Sequence, residues 1–338
     1  MRMSLSILVF AIALFTPAAA EDKQEIIIVG SSTVTPFGQT VIDRINASDT
    51  ERLVIDTTGT SGGISLFCRS ETDSFAPILL ASRAMTEEEM AACSDQLADE
   101  IREYKIGLSG IVLAEKAGNR PLKLTTSHIY RALAAFLPSS EDDCVFVSNK
   151  NKTWHDVDPA LPKRRIQVFG PPATSGTRGS FFSLAMEHGA LQDKCIQALK
   201  ARDKEHFYRV THDLRVDGAW VDAGENNHTI ITAIAGIPEA VGILGYADVT
   251  AYNNIITSLT INEVAPTLTT IASGDYQLSR FLRFYTKLNA EQNNTLVSEF
   301  VAEMTSREAV GASGYLVDQG LISLESMSTT TAVLYISN

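Results

Sequence analysis

Hydroxyl-bearing residues and glycines cluster at three places in this chain, each just after a short apolar run. They are Ser31-Ser-Thr33, Thr60-Ser-Gly-Gly63 and Thr174-Ser-Gly-Thr177. The chemistry such loops offer is anion capture. The first turn of a helix leaves four backbone N–H groups without intrahelical partners and carries a partial positive charge. Small hydroxyls and bare glycine backbone at that point make it a receptor for an oxyanion. One such loop alone is an ordinary helix cap; three of one composition point to a single site assembled from all of them. The third is the longest, Gly170-Pro-Pro-Ala-Thr-Ser-Gly-Thr-Arg-Gly-Ser-Phe-Phe182, between the apolar run Ile166–Phe169 and an amphipathic segment from Phe181 to Ala190.

The elements that must hold these loops alternate. Strands are predicted at Glu25–Val29, Arg52–Thr57 and Pro77–Ala81, each a short run rich in apolar and β-branched residues. Helical spacing follows at Val41, Ile42 and Ile45, and again from Ile64 to Cys68, while Thr86-Glu-Glu-Glu89 opens a capped helix. The run Ile106–Leu113 reads as a strand leading into a second domain. A helix starts at Thr126, residues 141–155 read as loop, and 200–209 as an exposed helix face. A helix from Thr229 to Ala235, a strand Val241–Tyr246, helices Leu278–Leu288 and Glu291–Met304, and an apolar tail at Ala332–Ile336 complete the reading. Alternating strands and helices build parallel sheets from βαβ units, and ligands on such sheets lie beyond the carboxyl ends of the strands.

The 338 residues suit two domains, with 45% apolar and 20% charged residues. A formal net charge of −12 excludes a nucleic-acid partner, which needs a basic footprint, but not a small anion bound by local dipoles. Met1-Arg-Met3, the apolar Leu5–Phe15 and Ala18-Ala-Ala20 have the pattern of a cleaved export signal at residues 1–20, so a periplasmic, soluble protein is expected. The four cysteines allow three pairings in an oxidising compartment. Cys68–Cys93 and Cys144–Cys195 are favoured because each pair then lies inside one proposed domain. No Cys-x-x-Cys or histidine at ligand spacing suggests a metal, and no cofactor motif is seen. The six histidines are scattered, and Trp154 and Trp220 read as packing or surface residues.

The loops Gly30-Ser-Ser-Thr-Val34, Thr60-Ser-Gly-Gly63 and Ser175-Gly-Thr-Arg178, with Asp217-Gly-Ala-Trp-Val-Asp-Ala-Gly-Glu-Asn-Asn227, resemble a periplasmic phosphate-binding protein of the Pst-type ABC importer. The resemblance implies an α/β fold, the two-domain periplasmic-binding-protein type II clamshell, each domain a mainly parallel sheet flanked by helices with the ligand in the interdomain cleft. It implies residues 21–107 with 248–338 as one domain and 108–247 as the other. It also implies capture of inorganic phosphate by a monomer that delivers it to a membrane ABC permease. By position, Thr33, the Val34 N–H, Ser61, Ser175, Gly176 and Thr177 would hold the anion, with Ser32 as a secondary candidate. Where the family often carries an Asp that accepts the ligand proton, this chain has Arg83, and the usual Arg four residues before Ser175 is Pro171. Arg83 or Arg178 could replace the lost cation, and Asp217 or Glu225 the lost proton acceptor.

Three other functions fit parts of the pattern. Without the Asp, a receptor for another tetrahedral oxyanion such as sulfate or molybdate is open, because a donor-only Arg cannot reject a fully deprotonated anion. Gly59-Thr-Ser-Gly-Gly63 is superficially like the loop of a serine nucleophile, but no histidine accompanies it in a motif, and neither metal ligands nor a phosphorylatable cluster marks a phosphatase, so no enzyme is expected. An adhesin using the fold structurally is the third.

Overall fold

The computed structural model describes residues 24–45, 51–69, 75–96, 100–140 and 144–327. The export-signal reading and the apolar tail at 332–336 fall outside the described residues.

Two sheets share one long strand, Ile101–Lys116. Its first part pairs with Ser279–Lys287 and belongs to the first sheet, in the order Glu51–Asp56, Gln24–Gly30, Phe75–Ala81, Ser279–Lys287, Ile101–Lys116. Its later part pairs antiparallel with Val241–Gly245, followed by Val168–Gly170 and Trp220–Asp222, all three parallel to one another. The parallel strands arise as the alternation predicts. Glu25–Val29 is buried through Ile26, Ile28 and Val29, and pairs parallel with both Glu51–Asp56 and Phe75–Ala81. Helices cover both faces of each sheet, giving two α/β bodies with their own cores. One core centres on Phe37, Phe284 and Phe300 and the other on Trp154, Phe181 and Phe207.

Two disulfides staple the bodies. Cys68–Cys93 joins the helices Thr60–Arg69 and Glu87–Gln96 of the first, and Cys144–Cys195 anchors the loop at 144 to the helix Lys194–Arg202 of the second.

Two expectations need correction. Leu278–Leu288, read as a helix, is the strand Ser279–Lys287. It carries Phe281, Phe284, Tyr285 and Thr286, residues that favour strands, and is buried along nearly its whole length because it sits between two other strands. A short apolar run of this kind has no periodicity that separates strand from helix. The boundary at 248 also shifts. Ile256–Ser258 pairs with the second-body end of Ile101–Lys116, and Leu259, Ile261, Ile271 and Leu278 enter the second core, so the chain rejoins the first sheet only at Ser279.

Candidate functional site

The three loops lie at the carboxyl ends of Gln24–Gly30, Glu51–Asp56 and Val168–Gly170, and they converge where the two bodies meet. Each opens a helix: Thr35–Arg44, Thr60–Arg69 and Gly176–Phe181. The buried Thr33 Oγ1 lies 2.9 Å from the buried Thr177 Oγ1 across the interface. The Ser61 N–H donates to Thr174 O at 3.0 Å, and Ser180 Oγ to Ser82 O at 3.4 Å. Thr60 Oγ1 accepts from the Ser82 N–H at 3.2 Å, tying the second loop to the end of Phe75–Ala81.

Glycine is required at two of these contacts. A Cβ on Gly176 would stand 2.1 Å from Thr60 Oγ1 and 2.4 Å from Ser82 Oγ, and one on Gly59, whose φ is +73°, would stand 2.5 Å from the backbone Thr174 O. The loops therefore approach at bare backbone distance, as an anion clamp needs.

At their meeting point stands Arg280, a residue that sequence reasoning missed. Its Nη2 donates to Thr33 Oγ1 at 3.2 Å and to Thr177 Oγ1 at 2.9 Å, and its Nη1 to Gly176 O at 3.2 Å. The side chain is 6% exposed, its Nε has no hydrogen-bond partner, and no carboxylate closes an ion pair with it among the described residues. Burial pulls the guanidinium down to about 9, against the opposing attraction of Asp248, so it remains charged at neutral pH. Asp248 is itself partly buried. Its Oδ2 accepts from the Gly245 N–H at 3.1 Å and from Asn227 Nδ2 at 3.0 Å. Burial holds its carboxyl above the usual range. Its only sequence signal was its position just after the strand Val241–Gly245.

The residues expected at the site divide. Thr33, Gly176 and Thr177 touch Arg280. Ser175 caps its helix by accepting from the Thr177 N–H at 3.2 Å, and the Val34 N–H is used inside its own turn, donating to Ser31 O at 3.1 Å. Arg83 pairs with Glu89 at 2.7 and 2.8 Å and donates to Ser61 Oγ at 2.9 Å, so it supports the second loop rather than replacing an acceptor. Arg178 pairs with Asp222 at 3.2 Å and lies over the Trp220 ring.

Of the two acidic candidates, only Glu225 reaches the cleft. It accepts from Ser32 Oγ at 3.2 Å and Thr174 Oγ1 at 2.7 Å, bridging the two bodies, and burial raises its carboxyl against both hydrogen bonds. Asp217 is corrected. It accepts from Arg215 Nη2 at 2.5 Å and Nε at 3.1 Å, at the opposite end of the strand Trp220–Asp222 from Glu225. Trp154 and Trp220 are both buried packing residues.

Comparison with known proteins bears on this geometry. A family model described as a PBP superfamily domain matches residues 16–308. The chain is similar to protein SphX of Synechocystis, with 26% identity over 308 residues, covering 88% of this chain and 78% of that protein. It is also similar to the phosphate-binding protein PstS of Staphylococcus epidermidis, with 25% identity over 299 residues, 85% of this chain and 77% of that one. Among solved structures, an ABC-type phosphate transport receptor from Vibrio cholerae shares the fold with a TM-score of 0.58 at 21% identity, over 88% of this chain and 99% of that one.

Proposed function

We propose that this chain, which belongs to the PBP superfamily, is an extracytoplasmic receptor that captures inorganic phosphate between its two bodies and delivers it to an ABC permease. The observation that carries the reading is Arg280, a buried cation held by hydroxyls and a carbonyl, with Asp248 attracting it from a distance and no carboxylate in direct ion pair with it among the described residues. Burying a charge without a counter-ion is costly, and a dianion seated at Thr33, Thr177 and Arg280 removes that cost. Relatives named as phosphate-binding proteins support phosphate as that anion.

The mechanism is closure. The first body supplies Thr33, Thr60 and Arg280 and the second Gly176 and Thr177, so an anion between them completes both half-sites and favours the closed form. Entering the niche, the anion takes the place of the Thr33–Thr177 hydrogen bond and receives donors from each. The acceptor for its proton is Glu225 or Asp248, since Arg83 donates only and Asp217 is engaged elsewhere. A fully deprotonated sulfate would set its oxygen against such a carboxylate with no proton between them, which is the basis of discrimination. His228 lines the cavity beside these hydroxyls, but no hydrogen bond joins it to Thr33, Ser61 or Thr177 among the described residues, and the reading is binding without turnover.

Competition calorimetry with phosphate, sulfate, arsenate and molybdate tests it. The expected result is a one-to-one phosphate isotherm, with sulfate weaker by at least about 100-fold. Sulfate binding as tightly as phosphate would leave an anion receptor but overturn the phosphate assignment, and hydrolysis of a phosphate or carboxylate ester would overturn the receptor itself.

A further inference from the structure

Beside the Arg280 niche lies a cavity of about 500 Å³. That is the size of a small-molecule site and far larger than one tetrahedral oxyanion needs. Both bodies line it. Ser32, Thr35 and Thr57 form one wall, and Glu225, Asn227 and Asp248 the other. It adjoins the niche directly. Ser32 precedes Thr33, and a Cβ on Gly245 would sit 3.2 Å from Asp248 Oδ2 and 3.6 Å from Thr33 Cγ2.

The two compartments have opposite chemistry. The niche ends in a buried guanidinium whose Nε has no partner. The cavity is lined by two carboxylates and one histidine, His228, and by no Lys or Arg. Inorganic phosphate offers this acidic wall one proton at most, whereas a ligand that brings its own cation satisfies both the niche and the wall. Burial of Glu225 and Asp248 heightens their demand for a donor, as the raised position of both carboxyls reflects.

We infer that the cleft also takes organic phosphoryl compounds, phosphonates or phosphate monoesters, whose short tail carries a primary amine. The phosphoryl oxygens bind Arg280, Thr33 and Thr177, and the ammonium lies against Glu225 and Asp248. The inference rests on the oxyanion reading above, and extends it from the head group to the tail.

Calorimetry on the full chain separates the two. The probes are inorganic phosphate, 2-aminoethylphosphonate and propylphosphonate, which has the same chain length with a methyl in place of the amine. The amine compound is expected to bind at least about tenfold tighter than the alkyl one, the worth of one charge-assisted contact. Glu225→Gln and Asp248→Asn should each reduce that ratio to below about threefold. Should either variant fail to fold, as its thermal transition would reveal, Thr57→Phe on the exposed rim provides a second route. It narrows the cavity and should lower the affinity of the amine compound relative to phosphate by about tenfold.

Equal binding of the amine and alkyl compounds overturns the inference and leaves phosphate capture standing. Tight binding of the amine compound without binding of phosphate supports the inference and overturns phosphate as the ligand. Binding of neither overturns both.

Discussion

Two arginines of this protein are equally buried, at 6% exposure each, and among the described residues only one of them has a direct ion pair. Arg215 forms a two-pronged pair with Asp217, donates to Ala132 O at 3.3 Å and also binds Asn151 O. Arg280 touches Thr33, Thr177 and Gly176 O, and its Nε points at nothing. The same side chain at the same depth thus has two environments. Arg215 is surrounded by acceptors, whereas Arg280 keeps hydrogen-bonding capacity that the proposed anion would use. Burial alone does not mark a binding residue. Nor does an unpartnered Nε, which Arg164, Arg178 and Arg283 share; what sets Arg280 apart from them is that it has no direct ion pair among the described residues.

The sharpest way to break this contrast is Arg280→Met. Removing a desolvated cation that no carboxylate pairs with directly should leave the thermal midpoint unchanged or raise it. Phosphate binding, measured by calorimetry, should weaken by about 3–4 kcal/mol, or roughly 100- to 1,000-fold, the scale for losing a buried charged partner of an anion. A large loss of stability with affinity intact would make Arg280 a structural residue and remove the central support for the site.

The reciprocal variant, Arg215→Met, should do the opposite. It leaves Ala132 O and Asn151 O without their donor and frees Asp217. The expected cost is about 2–3 kcal/mol of unfolding free energy. It would be read as a lower urea midpoint with an unchanged slope, and phosphate affinity should stay within about twofold. An equal loss in both arginine variants, on either readout, would erase the distinction drawn here.

How much of this was legible in the sequence follows from the same pair. The three loops were visible because their composition, Ser, Thr and Gly after an apolar run, is itself the chemistry. Arg280 was not. It lies in Ser279–Lys287, whose aromatic run fits a helix or a strand until the two neighbouring strands are known, and only as a central strand does it carry Arg280 inward. The acidic candidates show a subtler failure. Asp217 and Glu225 lie eight positions apart in one segment and looked interchangeable. Between them runs Trp220–Asp222, parallel to Val168–Gly170 with Gly170 opposite Asp222. Parallel pairing sends Glu225 to the carboxyl end, beside the third loop, and leaves Asp217 at the amino end. Ligands gather at carboxyl ends, so the direction of one three-residue strand decided which carboxylate belongs to the cleft. Arg83 stands just before Glu87, Glu88 and Glu89 at the next helix start, and Glu89 is the partner it takes.

The smallest expected effect tests that division by pH. The hydrogen bonds from Arg215 hold the Asp217 carboxyl below the usual carboxylate range, against a smaller opposing effect of burial. A carboxyl depressed in the folded state contributes stability above its unfolded pKa, about 3.9, and loses it as pH falls through the folded value. Asp217 is half exposed, with 55% of its side chain accessible, so solvent limits the contribution to that of a surface pair, about 0.5–1 kcal/mol. Asp217→Asn should therefore lower the thermal midpoint slightly at pH 7, and the gap between variant and parent should close as the pH is taken well below 4. Phosphate affinity at pH 7 should not move, because Glu225 and Asp248, the carboxylates proposed to meet the ligand, lie away from Asp217, on the cleft. If Asp217→Asn instead let sulfate compete with phosphate while stability stayed level across the same pH range, the proton acceptor would be Asp217, and Arg215 would belong to the binding apparatus together with Arg280.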